Sequence, residues 1–139
     1  MEPTFELFDH TADMGVRVRA STMPELIAPA SDGFYATIGE IAVGEGATPF
    51  LFEAHGAEAS VLLRDYLAEL LLRFERDHEK IVGPFDVRFN EDALRVTASA
   101  KPIDAGRSAF FREVKAVTYH ELFIRLIGGG FVATFIVDI

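Results

Sequence analysis

The sequence contains no cysteine. That absence excludes disulfides, thiolate nucleophiles and structural zinc held through sulfur. Basic residues are also scarce: 13 Lys and Arg stand against 22 Asp and Glu, for a formal charge of −9. A surface of that sign repels phosphate backbones and lacks the basic footprint of a nucleic-acid binder. Tight direct RNA or DNA binding is therefore not expected. A metal cation or a basic protein partner fits the sign better. No apolar run approaches the roughly 20 residues of a membrane-spanning helix. The first six residues carry two acids and no base, unlike a secretory signal. The expectation is a soluble cytoplasmic protein. Also missing are a phosphate-cradling Gly-Lys-Thr loop, a Gly-x-Gly-x-x-Gly turn and a Gly-x-Ser-x-Gly elbow.

The residues that are present describe one globular domain spanning 1–139. Half of them are hydrophobic and 13 are phenylalanine, enough for an ordinary core at this length. Period-2 alternation marks strands at 4–8, 16–20, 85–89 and 94–100, and Phe50-Leu51-Phe52-Glu53-Ala54 reads as another strand. Leu122–Ile127 reads as a further strand. Gly128-Gly129-Gly130 turns the chain into a last strand, 131–137, apolar on both faces and so suited to a sheet interior. Thr22-Met23-Pro24-Glu25 reads as a capping box opening a helix from about Met23 to Ile38. Its stripe is Leu26, Ala30, Phe34 and Ile38; Pro29 and Gly33 predict a kink or two shorter pieces. From Glu58 to Asp77 the helical period is clear, with Leu63, Tyr66, Leu67, Leu70, Leu71 and Phe74 on one face. The fold class is α+β: a mostly antiparallel or mixed sheet with two main helices packed on it.

Three segments could carry chemistry. The first is Asp9-His10-Thr11-Ala12-Asp13, which comes after a strand and points several oxygen and nitrogen groups at one place. Read alone, it is a polar turn in which Asp9 or Thr11 bonds backbone N–H groups. The second is the end of the sequence. Asp138 lies one residue from the α-carboxylate of Ile139, after a strand that should be well fixed. Such a pair is either simply solvated or forms a site for a hard divalent cation, completed by Asp13, with or without Asp9, if the first and last strands lie side by side. The third is Glu113 to His120, where Lys115 interrupts an otherwise apolar strand pattern. That is costly unless the ammonium meets a carboxylate, a phosphate or water, or snorkels to the edge. By alternation Lys115, Val117 and Tyr119 share a face, with Thr118 and His120 on the other. His55 and His78 receive no role.

Together these segments resemble the archease family. Asp9-His10-Thr11-Ala12-Asp13 resembles its His-Thr-Ala-Asp motif, Glu113-Val114-Lys115-Ala116-Val117-Thr118-Tyr119-His120 its Glu-Val-Lys-Ala-x-Thr-Tyr-His motif, and Val137-Asp138-Ile139 its Asp-Ile terminus. Their order and the length match across the whole chain. The first helix departs from the family's smoother pattern at Pro24, Pro29 and Gly33, and Ser108 stands where a histidine is common. The resemblance implies a non-enzymatic accessory factor of the RNA ligase RtcB, which joins RNA ends using GTP and divalent metal. Such a factor promotes guanylylation of the ligase histidine and multiple turnover in tRNA splicing and RNA repair. It further implies a cation, calcium foremost with magnesium or manganese as alternatives, on Asp13, Asp138 and the Ile139 carboxylate. It also gives a functional role to Lys115. Asp9 and His10 would then aim Asp13, Thr11 would bond backbone, and His120 would be a partner-side candidate. Two other readings compete: a metal-dependent phosphoester hydrolase with His10 or His120 as general base, and a chaperone-like protein-binding module.

Overall fold

A computed structural model of the chain describes residues 1–10, 12–56 and 58–139. Among these residues the chain forms ten strands and two α-helices. In chain order they are β1 (Thr4–His10), β2 (Asp13–Ala20), α1 (Ile27–Ile38), β3 (Gly39–Glu40), β4 (Thr48–His55), α2 (Ala59–Asp77), β5 (Glu79–Phe89), β6 (Ala93–Pro102), β7 (Ala109–Phe110), β8 (Ala116–Val117), β9 (Phe123–Ile127) and β10 (Gly130–Asp138). The larger sheet runs β1-β2-β10, and the far edge of β10 is shared by β9 and β8. A second sheet has the order β4-β6-β5, and β3 pairs with β7. Every ladder among the described residues is antiparallel. This is the α+β architecture expected.

β10 is the apolar strand at the heart of the larger sheet, and its second to eighth residues are largely buried. The last strand lies beside β2, which separates it from β1, so the condition set for the cation site is met through β2, the strand that carries Asp13. Val16 and Val18 of β2 and Ala133, Phe135 and Val137 of β10 turn towards the helices and join the main core. α1 sits close on that face. A Cβ on Gly33 would lie 2.6 Å from Val16 Cγ1 and 3.2 Å from the Phe5 ring, so the glycine is what lets the helix approach.

Thr22 makes one half of the capping box: its hydroxyl accepts the Glu25 N–H (3.3 Å), while the Glu25 carboxylate accepts from that hydroxyl (2.8 Å) and not from the Thr22 backbone. The helix then starts in two pieces, a 3-10 turn over Pro24–Leu26 followed by α1. That places Pro29 third in the α-helix. A first-turn residue has no intrahelical N–H bond to lose, so the proline is tolerated. α2 obeys its sequence pattern; Leu62, Leu63, Tyr66, Leu67 and Leu70 are essentially inaccessible. Tyr66 hydrogen-bonds Ser31 (2.7 Å), which donates to the Ile27 carbonyl (2.7 Å), and this chain of bonds ties the two helices. Burial pushes the Tyr66 and Tyr35 phenols well above their ordinary range.

Candidate metal centre

His10 and Asp13 are the last paired residues of the β1–β2 hairpin. Thr11, expected to bond backbone, lies outside the described residues. Ala12 has φ +63°, a left-handed conformation that costs an L-residue roughly 1–2 kcal/mol. Side chains alternate along a strand and cross-strand partners share a face. His10 and Asp13 therefore project from the face opposite α1, and His10 Nδ1 lies 3.7 Å from Asp13 Oδ2. Asp9 pairs with Met14 and belongs to the other face. The structure thus separates Asp9 from Asp13, and its carboxylate is exposed.

The β2–β10 register then brings the two ends of the sequence together. Asp138 is the direct cross-strand partner of Asp13. On its other side Asp138 pairs with Ala116, and the Lys115 N–H donates to the Asp138 carbonyl oxygen (2.7 Å). Ile139 is half-buried against the core, which anchors the segment. His10, Asp13, Asp138 and Ala116 form one row across four strands. All the oxygen donors of this row are hard. Among the described residues, no lysine or arginine forms an ion pair with either carboxylate of the facing pair. Such a donor set fits calcium or magnesium chemistry.

The expected strand from Val114 to Thr118 is much shorter. Only Ala116–Val117 ladders with β10, and Lys115 is exposed. The ammonium therefore meets water, which removes the burial cost anticipated for a lysine in an apolar strand. Thr118 shapes the next turn of the chain. Its N–H (2.9 Å) and its hydroxyl (3.1 Å) both donate to the Ile136 carbonyl, and the hydroxyl accepts the His120 N–H (3.2 Å). Residues 118–122 leave the edge of β10 between β8 and β9. They arch over the outer face of the sheet: the His120 ring meets the His10 ring edge-on at 5.1 Å, although β1 and β8 are three strand spacings of about 4.8 Å apart. Arg64 of α2 holds the base of this arch. Its Nε donates to the Val117 carbonyl (2.9 Å) and its guanidinium lies 4.5 Å from the Tyr119 ring centre.

Glu121 completes the arch. Its carboxylate is 3.5 Å from His10 Nε2, and its φ of +49° is again left-handed. No sequence signal singled it out. Neighbours in an extended chain point apart, and only the turn lets His120 and Glu121 face the same histidine. Arg64 was likewise invisible, since its partner is a backbone carbonyl 53 positions away.

The profile of the Archease protein family (MTH1598/TM1083) matches residues 5–139. The chain belongs to the archease family. It is 33% identical to "Protein archease" of Methanopyrus kandleri over 97% of this chain and 99% of that protein. It is 30% identical to the archease of Pyrococcus furiosus, over 97% and 98% of the two chains. Its fold resembles the solution structure of Methanobacterium thermoautotrophicum protein 1598, with a TM-score of 0.76, 24% identity and full coverage of both chains. It also resembles a Thermotoga maritima protein described as an archease and possible chaperone, with a TM-score of 0.70, 18% identity and 96% of each chain covered. The archease fold therefore accounts for the whole chain. No helix among the described residues is long and apolar enough to cross a membrane.

Proposed function

We propose that this archease is a non-enzymatic accessory factor that promotes guanylylation and multiple turnover of an RtcB-type RNA ligase, through a cation site at Asp13, Asp138 and the α-carboxylate of Ile139. The observation that carries the reading is convergence. The three segments of the family resemblance, far apart in sequence, meet at one end of one sheet, where Asp138 pairs with Asp13 on one side and with Ala116 on the other. The likeness to archeases supports the partner class, and the donor set supports calcium, magnesium or manganese. A divalent ion held there supplies positive charge that offsets the repulsion between an attacking group and a nucleotide triphosphate. The chain's own residues do the rest. β10 and β2 hold the two carboxylates opposed, the Lys115 N–H fixes the Asp138 backbone, and the exposed Lys115 ammonium is available to a phosphate or carboxylate of the partner. With a net charge of −9 the chain would act on the ligase and not on RNA directly.

The test is guanylylation of a cognate ligase with and without this protein. The wild-type chain should stimulate at substoichiometric amounts. Asp13→Ala should abolish stimulation without unfolding the chain, because Asp13 is partly exposed and makes no core contact. Normal stimulation by that variant would remove Asp13 from the site. A chaperone-like module is the second reading, favoured by the description of the Thermotoga relative. It predicts association with the ligase that is indifferent to chelator.

A further inference from the structure

We propose that His10, His120 and Glu121 form a second metal site, distinct in chemistry from the carboxylate row, that takes a borderline transition ion such as Zn2+. One donor atom from each of the three residues lies within 4.8 Å of the other two. Two imidazoles and a carboxylate suit zinc, and three protein ligands with an open fourth position is the arrangement of reactive zinc sites. The hard donors beside them, Asp13 and Asp138, suit calcium or magnesium. The two sets would sort ions by softness.

Three features make this more than a chance cluster. The first is the division of His10. Its Nε2 faces Glu121 at 3.5 Å, while its Nδ1 faces Asp13 at 3.7 Å. Metal-bound histidines characteristically turn their second nitrogen towards a carboxylate, which fixes the tautomer and raises the basicity of the ligand. The second is that His10 Nδ1 is buried and has no hydrogen-bond partner among the described residues. Such an orphan is costly, and a small closure onto Asp13 would satisfy it once Nε2 is ligated. The third is the backbone. Of the three non-glycine residues with positive φ among those described, Glu121 belongs to this cluster and Ala12 stands in the turn between His10 and Asp13. Strain of that kind persists where the surroundings enforce it, often at binding sites.

Closing the donors to tetrahedral zinc geometry needs N···N and N···O separations of about 3.3 Å, from metal–ligand distances of about 2.0–2.1 Å. His120 and Glu121 are exposed and can move by rotamer change without disturbing the core. The metal would staple the arch, residues 118–122, to the β1–β2 hairpin, directly beside the Asp13–Asp138 pair. Asp13 would serve both sites, as a ligand to the hard ion and as the acceptor behind His10.

The zinc site stands or falls independently of the ligase role, because binding alone tests it. The full chain, with millimolar Ca2+ present to occupy the carboxylate row, is titrated calorimetrically with Zn2+. One equivalent should bind. His120→Ala and Glu121→Gln should each weaken it by more than the roughly 10–100-fold that loss of an outer partner costs. Both should leave Ca2+ binding and the melting temperature in chelator unchanged. Asp138→Asn should lose Ca2+ and keep Zn2+. The proposal is overturned if no saturable Zn2+ binding is seen, if either His120→Ala or Glu121→Gln retains wild-type Zn2+ affinity, or if Asp138→Asn abolishes it. The Ca2+ titration of Asp138→Asn tests the carboxylate row on its own, so the two sites can fail separately.

Discussion

Replacing Asp138 by asparagine should make the protein more stable in chelator and unresponsive to calcium. Asp13 and Asp138 are direct cross-strand partners on one face, so their Cβ atoms stand about 4.5–5.5 Å apart. Both side chains are partly exposed, which places the like-charge penalty near the water end of the Coulomb range, about 0.5–1 kcal/mol. Asparagine keeps the shape and removes the charge. The entropy of unfolding is about 2.1 cal/mol/K per residue. For 139 residues each kcal/mol is therefore worth about 3 °C. The variant should melt about 2–3 °C above wild type in EDTA. A cation that binds only the folded chain stabilises by RT ln(1 + [L]/Kd), about 2.7 kcal/mol at a hundredfold excess over Kd. Wild type should then gain about 9 °C in calcium while Asp138→Asn gains almost nothing. Differential scanning calorimetry in EDTA, Ca2+, Mg2+ and Mn2+ decides it. A wild-type melting point that ignores all three ions would refute the cation site, and an equal calcium response in the variant would place the ion elsewhere.

Arg64→Ala should loosen the arch without unfolding the domain. It removes the bond to the Val117 carbonyl and the contact with Tyr119, so amide exchange should accelerate across Val117 to Glu121 while α2 keeps its protection. Ligase stimulation should fall with it; unchanged exchange in that segment would show that Thr118 alone holds the arch. Tyr66→Phe should cost about 0.5–1.5 kcal/mol, because Ser31 keeps its bond to Ile27 and loses only the phenol. In alkali the sign comes from burial. The raised Tyr35 and Tyr66 phenols favour the neutral form in the fold, so their contribution is complete below the ordinary value of 10.0 and is lost as pH rises above it. Phenolate absorbance from these two residues should appear together with unfolding, and its appearance in the folded chain would contradict their burial.

Elements with a strong local period were legible in the sequence. α2 carries six apolar residues at spacings of three and four, and all but Phe74 are buried. The turn end of the β5–β6 hairpin was legible from the alternation over 85–89 and from Asn90, whose side chain accepts the N–H groups of Asp92 and Ala93, whereas the first half of β5, from Glu79 to the irregularity between Val82 and Asp86, was not. β10 was legible as an interior strand because both of its faces are apolar. The start of α1 was only half legible: the Thr22 cap is local chemistry, whereas the 3-10 turn that moves Pro29 into the first α-helical turn depends on how the segment packs.

The sequence by itself determined the donors: two aspartates at opposite ends, a lysine between them, histidines at 10 and 120, and an acidic surface without thiols. Alternation even settles, once a register is given, that Asp9 and Asp13 cannot share a face. Registers are long-range, however, and no local preference encodes which residue of β2 faces which residue of β10. Only the tertiary structure decided that Asp138 stands opposite Asp13, that Lys115 is free of the core, and that a left-handed turn at Glu121 folds His120 across the sheet to His10. Contacts of that kind are set by the burial of β10 and the packing of two helices on one face, which no stretch of the chain specifies alone.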